Sequence, residues 1–134
     1  MKTVLFACVH NAGRSQMAAA LFEHLADPAK ARALSAGTEP AAAVHPEVVA
    51  AMREIGIDLS SAVPRRLDDA LAAQADLLVT MGCGDACPVV PGAERDDWPL
   101  DDPRGRPLAE VRAIRDAVQR RVVDLLVRRG WRRA

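Results

Sequence analysis

One short segment combines a nucleophile with several groups that can bind an anion. It reads C-V-H-N-A-G-R-S from Cys8 to Ser15. An apolar run typical of a buried strand precedes it, and a stretch with helical spacing follows. Backbone N–H groups at such a junction can surround an anion, and the helix N-terminus adds about half a unit of positive charge. The segment therefore predicts an oxyanion-binding loop that carries a cysteine.

The side chains of this loop suit covalent attack. Arg14 can bind two oxygens of one anion, and Ser15 can donate a hydrogen bond to the sulfur of Cys8. A cysteine at a helix N-terminus beside an arginine favours the thiolate, which is the nucleophilic form. The Cys-to-Arg spacing alone is a weak signal. The preceding strand, Gly13 and the Arg-Ser pair that opens a helix make it specific for an enzyme that attacks a tetrahedral oxyanion.

Strands and helices alternate along the chain, which predicts βαβ units and a parallel sheet. The expected strands are 3–9, 31–35, 76–81 and 96–100, and the expected helices are 14–26, 46–55, 64–73 and 108–129. The predicted fold is a single α/β domain over residues 1–134, with a four-stranded parallel sheet, helices on both faces and flavodoxin-like topology. Ligands of such sheets bind beyond the carboxyl ends of the strands. Cys8, Cys83 and Asp102 all follow strand ends, so one edge is expected to hold them.

Composition limits the possible partners. The 134 residues include 18 basic and 18 acidic side chains, so a nucleic-acid or membrane partner is not expected. The N-terminal apolar run is too short for a signal peptide, and no stretch is long enough to span a membrane, so a cytoplasmic location is expected. The sequence contains no Tyr, which excludes any mechanism that uses a tyrosine hydroxyl.

The other two cysteines stand close together in the segment M-G-C-G-D-A-C-P. Cys83 and Cys87 could be inert, bind a metal or carry redox chemistry. A structural zinc ion needs four ligands, and the three histidines are scattered, so no metal is expected. A redox role is favoured, because Cys8 lies on the same predicted sheet edge.

Several segments together show a resemblance to a known family. They are the loop with its R-S-Q-M-A continuation, S-A-G-T at residues 35–38, the D-L-L-V-T-M strand and the D-D-P turn. The chain resembles the low-molecular-weight protein tyrosine phosphatases, and within them the arsenate reductases of the thioredoxin-coupled type.

The resemblance implies roles for individual residues of the loop. Cys8 is then the nucleophile and Arg14 binds the oxyanion, while Asn11 holds the shape of the loop and Ser15 tunes the thiolate. The oxyanion-binding residues are Cys8, Val9, His10, Asn11, Ala12, Gly13, Arg14 and Ser15.

A general acid is the second requirement, because the departing oxygen needs a proton. By itself, Asp-Pro is most simply interpreted as an ordinary turn. The resemblance reverses this interpretation and assigns the acid to Asp102, directly before Pro103, with Asp101 as the fallback. Burial and a neighbouring anion favour the protonated form of such a carboxyl group.

The resemblance also implies the overall reaction. Arsenate is reduced to arsenite when Cys83 attacks Cys8, and Cys87 then takes over the disulfide. No bound cofactor is expected, and the electrons come from thioredoxin or from a low-molecular-weight thiol such as mycothiol. The shorter Cys83–Cys87 spacing differs from that of the best-known relatives and leaves the order of attack open. A monomer is expected, with a dimer as the alternative.

Two rival functions come from other classes. One is a phosphatase acting on phosphotyrosine, which the same loop and acid would serve. The phosphatase relatives carry tyrosines after their Asp-Pro, whereas Arg104 and Gly105 follow here. The other is a non-enzymatic module that chelates arsenic(III) with three thiols and needs no acid at Asp102.

Overall fold

The computed structural model describes residues 1–82 and 92–133. Four parallel strands form one sheet in the order β2-β1-β3-β4. They are β1 (Lys2–Cys8), β2 (Ala31–Gly37), β3 (Leu77–Thr80) and β4 (Glu94–Asp97). The predicted four-stranded parallel sheet is therefore confirmed. Its order matches the flavodoxin-like arrangement, in which the chain reverses direction across the sheet beside β1.

The central strand β1 explains why its sequence is apolar without alternation. It pairs with β2 on one side and with β3 on the other. Val4 and Phe6 face the larger hydrophobic core, while Leu5 and Ala7 face a smaller one. A strand covered on both faces needs apolar side chains at every position.

In the described part of the chain, four helices cover the two faces unequally. They are α1 (Arg14–Leu25), α2 (Pro46–Arg53), α3 (Asp69–Ala72) and α4 (Leu108–Arg129). Helices α1, α2 and α4 contribute to the larger core, and α3 contributes to the smaller one. The bounds of α4 are those predicted. Apolar residues of this helix contribute to the larger core, because their spacing keeps them on one face; they are Val111, Ile114, Val118, Val122, Leu125 and Leu126.

The helix predicted over residues 64–73 is wrong over its first half. Residues 65–67 instead continue beside β2, where Gly37 donates to the Arg65 carbonyl and accepts from the Leu67 amide. The helix begins only after Asp68, whose carboxylate accepts a hydrogen bond from the Leu71 amide at 2.7 Å. An N-cap of this kind sets the start of a short helix more firmly than a weak apolar pattern does.

The fourth strand begins two residues before the predicted 96–100 and ends three residues before its predicted end. Its residues Glu94–Asp97 are charged and half-buried or exposed, as suits an edge strand. Trp98 then leaves the sheet and enters the larger core, where its ring lies 5.5 Å from that of Phe6. The predicted bounds therefore include Trp98, which packs in the core beyond the end of the strand.

No helix in residues 1–82 or 92–133 is both long enough and apolar enough to cross a membrane.

Candidate active site

Cys8 ends β1 and is 2% exposed. Its Sγ lies 2.8 Å from the Oγ of Ser15, the second residue of α1. The strand and the helix thus bring together two side chains seven positions apart. The resulting contact joins the candidate nucleophile to a hydroxyl group.

The direction of this hydrogen bond follows from its neighbours. The backbone N–H of Arg65 donates to Asn11 Oδ1 at 3.0 Å, which identifies that atom as the oxygen of the amide. The other amide atom, Asn11 Nδ2, therefore donates to Ser15 Oγ at 2.7 Å. Because the hydroxyl accepts there, its own proton can be donated to Cys8 Sγ, and it must be the donor when the sulfur is a thiolate. A donor aimed at the sulfur stabilises a thiolate.

Asn11 also shapes the loop. It has a positive φ of 50°, a conformation that asparagine adopts more readily than most residues. Its side chain is fully buried, and Gln16 donates to its Oδ1 at 3.1 Å. One side chain thus holds the backbone bend and the orientation of Ser15 together.

The carbonyl groups of the loop point away from the anion cradle. Those of Cys8, Val9, His10 and Ala12 accept hydrogen bonds from backbone N–H groups of residues 38–45, at 2.8 to 3.2 Å. The backbone N–H groups of residues 10–13 make no hydrogen bond within the described parts of the chain. With the carbonyl groups engaged outside, these N–H donors are left for an oxyanion.

Arg14 provides the positive charge of the site. It is 8% exposed, and its Nη1 donates to the Leu100 carbonyl at 3.0 Å. Its Nη2 lies 3.8 Å from Asp102 Oδ2. The guanidinium also lies directly against Gly82, where an added Cβ would overlap Nη1 and where φ is +93°. Both the space and the backbone conformation therefore require glycine at this position.

Asp102 reaches the same site from the opposite side. Its Oδ1 accepts a hydrogen bond from the Arg104 amide at 3.0 Å, which leaves Oδ2 as the oxygen nearer Arg14. Its side chain is 43% exposed. The next residue, Pro103, packs so closely on Gly13 that a Cβ there would lie 2.7 Å from Pro103 Cγ. The structure thus brings Asp102 beside the loop, whereas Asp101 is exposed.

Two predicted site residues cannot be placed. Cys83 and Cys87 lie outside the described residues, so the distances of the predicted relay are not described.

His10 lies at the rim of the site, and its Nδ1 donates to the Glu39 carbonyl at 3.1 Å. Among the described residues, no cluster of three or more His, Cys, Asp or Glu side chains could hold a metal ion.

Sequence reasoning missed several supporting residues. Gly82 and the carbonyl of Leu100 hold Arg14, and the Arg65 amide orients Asn11. Glu47 accepts a hydrogen bond from the Gly105 amide in the Asp-Pro turn. Only the glycine carried a signal, because it directly follows the predicted strand 76–81. The others act through the backbone or across long stretches of chain.

The fold and site together define a class of protein, a flavodoxin-like α/β domain with a cysteine in an oxyanion-binding loop. A family model described as low molecular weight phosphotyrosine protein phosphatase matches residues 3–130. The chain belongs to this family, and the resemblance found in its sequence is confirmed.

The similar proteins include arsenate reductases. The chain is 43% identical over 126 residues to a putative arsenate reductase of Halobacterium salinarum, covering 90% of this chain and 87% of that protein. It is 36% identical over 122 residues to arsenate reductase 2 of Staphylococcus epidermidis, covering 88% and 91%.

A solved structure with the same fold is a thioredoxin-dependent arsenate reductase of Corynebacterium glutamicum. It matches with a TM-score of 0.80 and 39% identity, over 93% of this chain. The present chain spans 60% of the length of that chain.

Proposed function

We propose that this protein reduces arsenate to arsenite through a thiolate at Cys8 and a disulfide relay. The observation that carries the proposal is the hydrogen-bond chain that directs the Ser15 hydroxyl at Cys8 Sγ. The relatives named as arsenate reductases support this choice of substrate. The proposal includes a single domain over residues 1–134, acting as a monomer in the cytoplasm.

The first step forms the bond between sulfur and arsenic. Arsenate enters the cradle, where the N–H groups of the loop and Arg14 bind its oxygens. The Cys8 thiolate attacks arsenic, and Asp102 protonates one oxygen, which leaves as water. Oδ2, the carboxylate oxygen nearer Arg14, delivers the proton in this step, because Oδ1 already accepts from the Arg104 amide. The product is a covalent adduct in which arsenic is still pentavalent.

The second step transfers two electrons to arsenic. The Cys83 thiolate attacks the sulfur of Cys8, and a disulfide forms as the sulfur–arsenic bond breaks. The electron pair of that bond stays on arsenic, which leaves as arsenite. Cys87 then attacks Cys83, so that the Cys8 thiolate is released and a Cys83–Cys87 disulfide remains. These two roles rest on the resemblance to the family.

A dithiol completes the cycle. Thioredoxin reduces the Cys83–Cys87 disulfide by exchange and becomes oxidised itself. The Corynebacterium relative is thioredoxin-dependent, which supports this reductant over mycothiol. A low-molecular-weight thiol would instead attack the arsenic adduct directly and would need only one protein cysteine.

Hydrolysis of phosphate esters is expected as a side activity. Phosphate and arsenate have similar shape and charge, so the cradle and Asp102 would act on both. An aryl ester additionally needs an apolar wall for its ring. The chain contains no Tyr, and the residue after Pro103 is the exposed Arg104. Arsenate is therefore the better substrate.

The test compares arsenate turnover with aryl phosphate hydrolysis. Arsenate-dependent NADPH consumption is measured with thioredoxin and thioredoxin reductase, for the wild type, Cys83→Ser and Cys8→Ser. We expect Cys83→Ser to lose steady-state arsenate turnover and to keep ester hydrolysis, because its loop and acid are unchanged. Cys8→Ser is the matched control and loses both activities.

Two results would contradict the proposal. One is a wild type that consumes no NADPH in response to arsenate. The other is an equal loss of both activities in Cys83→Ser, which would indicate a structural role for that cysteine. If mycothiol and its reductase support turnover and thioredoxin does not, only the choice of reductant is wrong.

A further inference from the structure

The start of α2 contacts both the oxyanion loop and the Asp-Pro turn. Just before the helix, the His45 amide donates to the Ala12 carbonyl of the loop at 3.0 Å. Within the turn, Glu47 Oε1 accepts from the Gly105 amide at 3.1 Å, across 58 positions of sequence. One rigid segment thus holds the loop through His45 and the Asp-Pro turn through Glu47.

The Asp-Pro turn contacts the loop directly through the ion pair of Asp102 with Arg14 and the packing of Pro103 on Gly13. Inside the turn, the Arg104 amide donates to Asp102 Oδ1, and Arg106 Nε donates to the Asp102 carbonyl. The Arg106 amide donates to the Pro103 carbonyl at 3.2 Å. Within residues 1–82 and 92–133, the Glu47–Gly105 contact is the only hydrogen bond between turn residues 102–106 and another element. This bond therefore supports the position of Asp102 from the side of α2, in addition to the contacts with Arg14 and Gly13.

The helix that carries Glu47 is itself anchored to α4. At its C-terminal end, Arg115 donates to the Ala51 carbonyl at 2.7 Å and to Glu54 at 2.9 Å. Arg112 forms a two-oxygen ion pair with the same carboxylate. Because α2 is held at both ends, the position of Glu47 is well defined. Glu47 can therefore hold the Gly105 amide, and with it the Asp-Pro turn, in place.

We propose that Glu47 is a positioning residue, whose carboxylate holds the Asp-Pro turn where Asp102 can protonate the departing oxygen. The inference rests on the proposed function, in which Asp102 is the acid. Among the described residues, the hydrogen-bond partner of the Glu47 carboxylate is the Gly105 amide of the turn. Removal of the Glu47 carboxylate leaves the loop intact and lets the acid move away from the leaving group. A displacement of about 1 Å is enough to lower the rate of such a proton transfer substantially.

An acidic residue in the first turn of a helix has a simpler role, because it offsets the helix dipole. Two variants separate the roles. Glu47→Gln removes the charge and keeps an oxygen that can accept from Gly105, whereas Glu47→Ala removes both. A dipole role predicts that the two variants resemble each other. A positioning role predicts that glutamine restores activity and alanine does not.

The experiment measures kcat/KM for arsenate, for phenyl phosphate and for dinitrophenyl phosphate, whose leaving group needs no proton. We expect Glu47→Ala to lose about tenfold with arsenate and phenyl phosphate and less than about twofold with the dinitrophenyl ester. Glu47→Gln should stay close to wild type. The inhibition constant of inorganic phosphate should not change, because the cradle is intact.

A double-mutant cycle with Asp102→Asn completes the test. When the acid is already absent, Glu47→Ala should cause no further loss. Asp124→Ala is the control for a lost carboxylate, since Asp124 pairs with Arg128 on the far part of α4. It should match wild type in every assay.

Three outcomes would overturn the role of Glu47. They are equal losses on both esters, a tenfold loss that persists beside Asp102→Asn, and a glutamine variant as slow as the alanine variant. A wild type that does not turn over arsenate would overturn the proposed function alone. In that case the comparison of phenyl phosphate with dinitrophenyl phosphate still tests the role of Glu47. If neither ester is hydrolysed, the Glu47 variants are compared in arsenate turnover instead.

Discussion

The oxyanion loop, residues 8–15, and the Asp-Pro turn, residues 101–106, face each other across the site and are built differently. The loop is mostly buried, its carbonyl groups are held by residues 38–45, and Asn11 fixes the Ser15 hydroxyl. The turn is mostly exposed, and among the described residues one hydrogen bond, from the Gly105 amide to Glu47, ties it to another element.

This difference separates the two chemical tasks. A nucleophile and its cradle must be organised before the substrate arrives, because charge develops there in the transition state. An acid beside a solvent opening can be held by fewer bonds and still deliver its proton. Substitutions in the loop should therefore impair the nucleophile itself, whereas substitutions in the turn should impair only reactions that need a proton.

The largest expected effect comes from removing the acid. Asp102→Asn should lower arsenate turnover about 100-fold or more, because general acid catalysis contributes effects of this size. Alkylation of Cys8 by iodoacetamide should keep its wild-type rate, since the loop is unchanged. Asp101→Asn serves as the matched control and should stay near wild type. A slow Asp101→Asn with a normal Asp102→Asn would transfer the acid role to the neighbouring carboxylate.

Removing the hydroxyl that faces the nucleophile tests the loop. Ser15→Ala should lower the rate of Cys8 alkylation at neutral pH by about tenfold or more, because a hydrogen bond to a charged group contributes about 1.5–3 kcal/mol. Arsenate turnover should fall by a similar factor. The exposed Ser61 provides the control variant Ser61→Ala. Unchanged alkylation would mean that the 2.8 Å contact does not favour the thiolate.

The contact between the two regions can be broken by adding one methyl group. Gly13→Ala places a Cβ 2.7 Å from Pro103 Cγ, so the turn must move away from the loop. We expect about a tenfold loss with phenyl phosphate and a smaller one with dinitrophenyl phosphate, because mainly the acid is displaced. Adding Pro103→Ala removes the obstructing ring and should recover part of the loss. If the double variant is slower still, the methyl group has damaged the loop instead.

The smallest effect is expected far from the chemistry. Hydrogen bonds from Arg112 are the largest cause that lowers the pKa of Glu54 from 4.5 to about 2. Because the folded pKa is depressed, the stabilisation from this ion pair is fully present above pH 4.5 and is lost as the pH falls towards 2. Glu54→Gln should therefore unfold more easily than wild type at pH 6, and the difference should shrink as the pH approaches 2. Chemical denaturation at several pH values measures this, and a difference that grows in acid would contradict it.

The sequence allowed the loop and most of the fold to be predicted. The apolar run of β1 and the helical spacing of α1 placed Cys8 and Ser15 at a junction whose geometry is local. The fourth strand was predicted to begin two residues and to end three residues too late, because its charged residues carry no pattern and Trp98 packs in the core beyond it. The helix before β3 was predicted too long, because pairing with Gly37 extends residues 65–67.

The role of Asp102 could not be predicted from its neighbours along the chain. An aspartate before a proline is an ordinary turn by its local properties, and only the family resemblance singled out Asp102. The structure places its Oδ2 3.8 Å from Arg14 Nη2, a relation between residues 88 positions apart that no spacing rule predicts.

The sequence by itself predicted the candidate nucleophile and the anion cradle and determined the kind of sheet that presents them, since these follow from neighbours along the chain. The tertiary structure alone decided how the acid is held. Arg14 is bound by a carbonyl 86 residues away, and Glu47 supports a turn 58 residues away. Hydrophobic periodicity specifies which face of an element is buried. It does not specify which distant polar groups meet once the elements have packed, because that depends on the path of the whole chain.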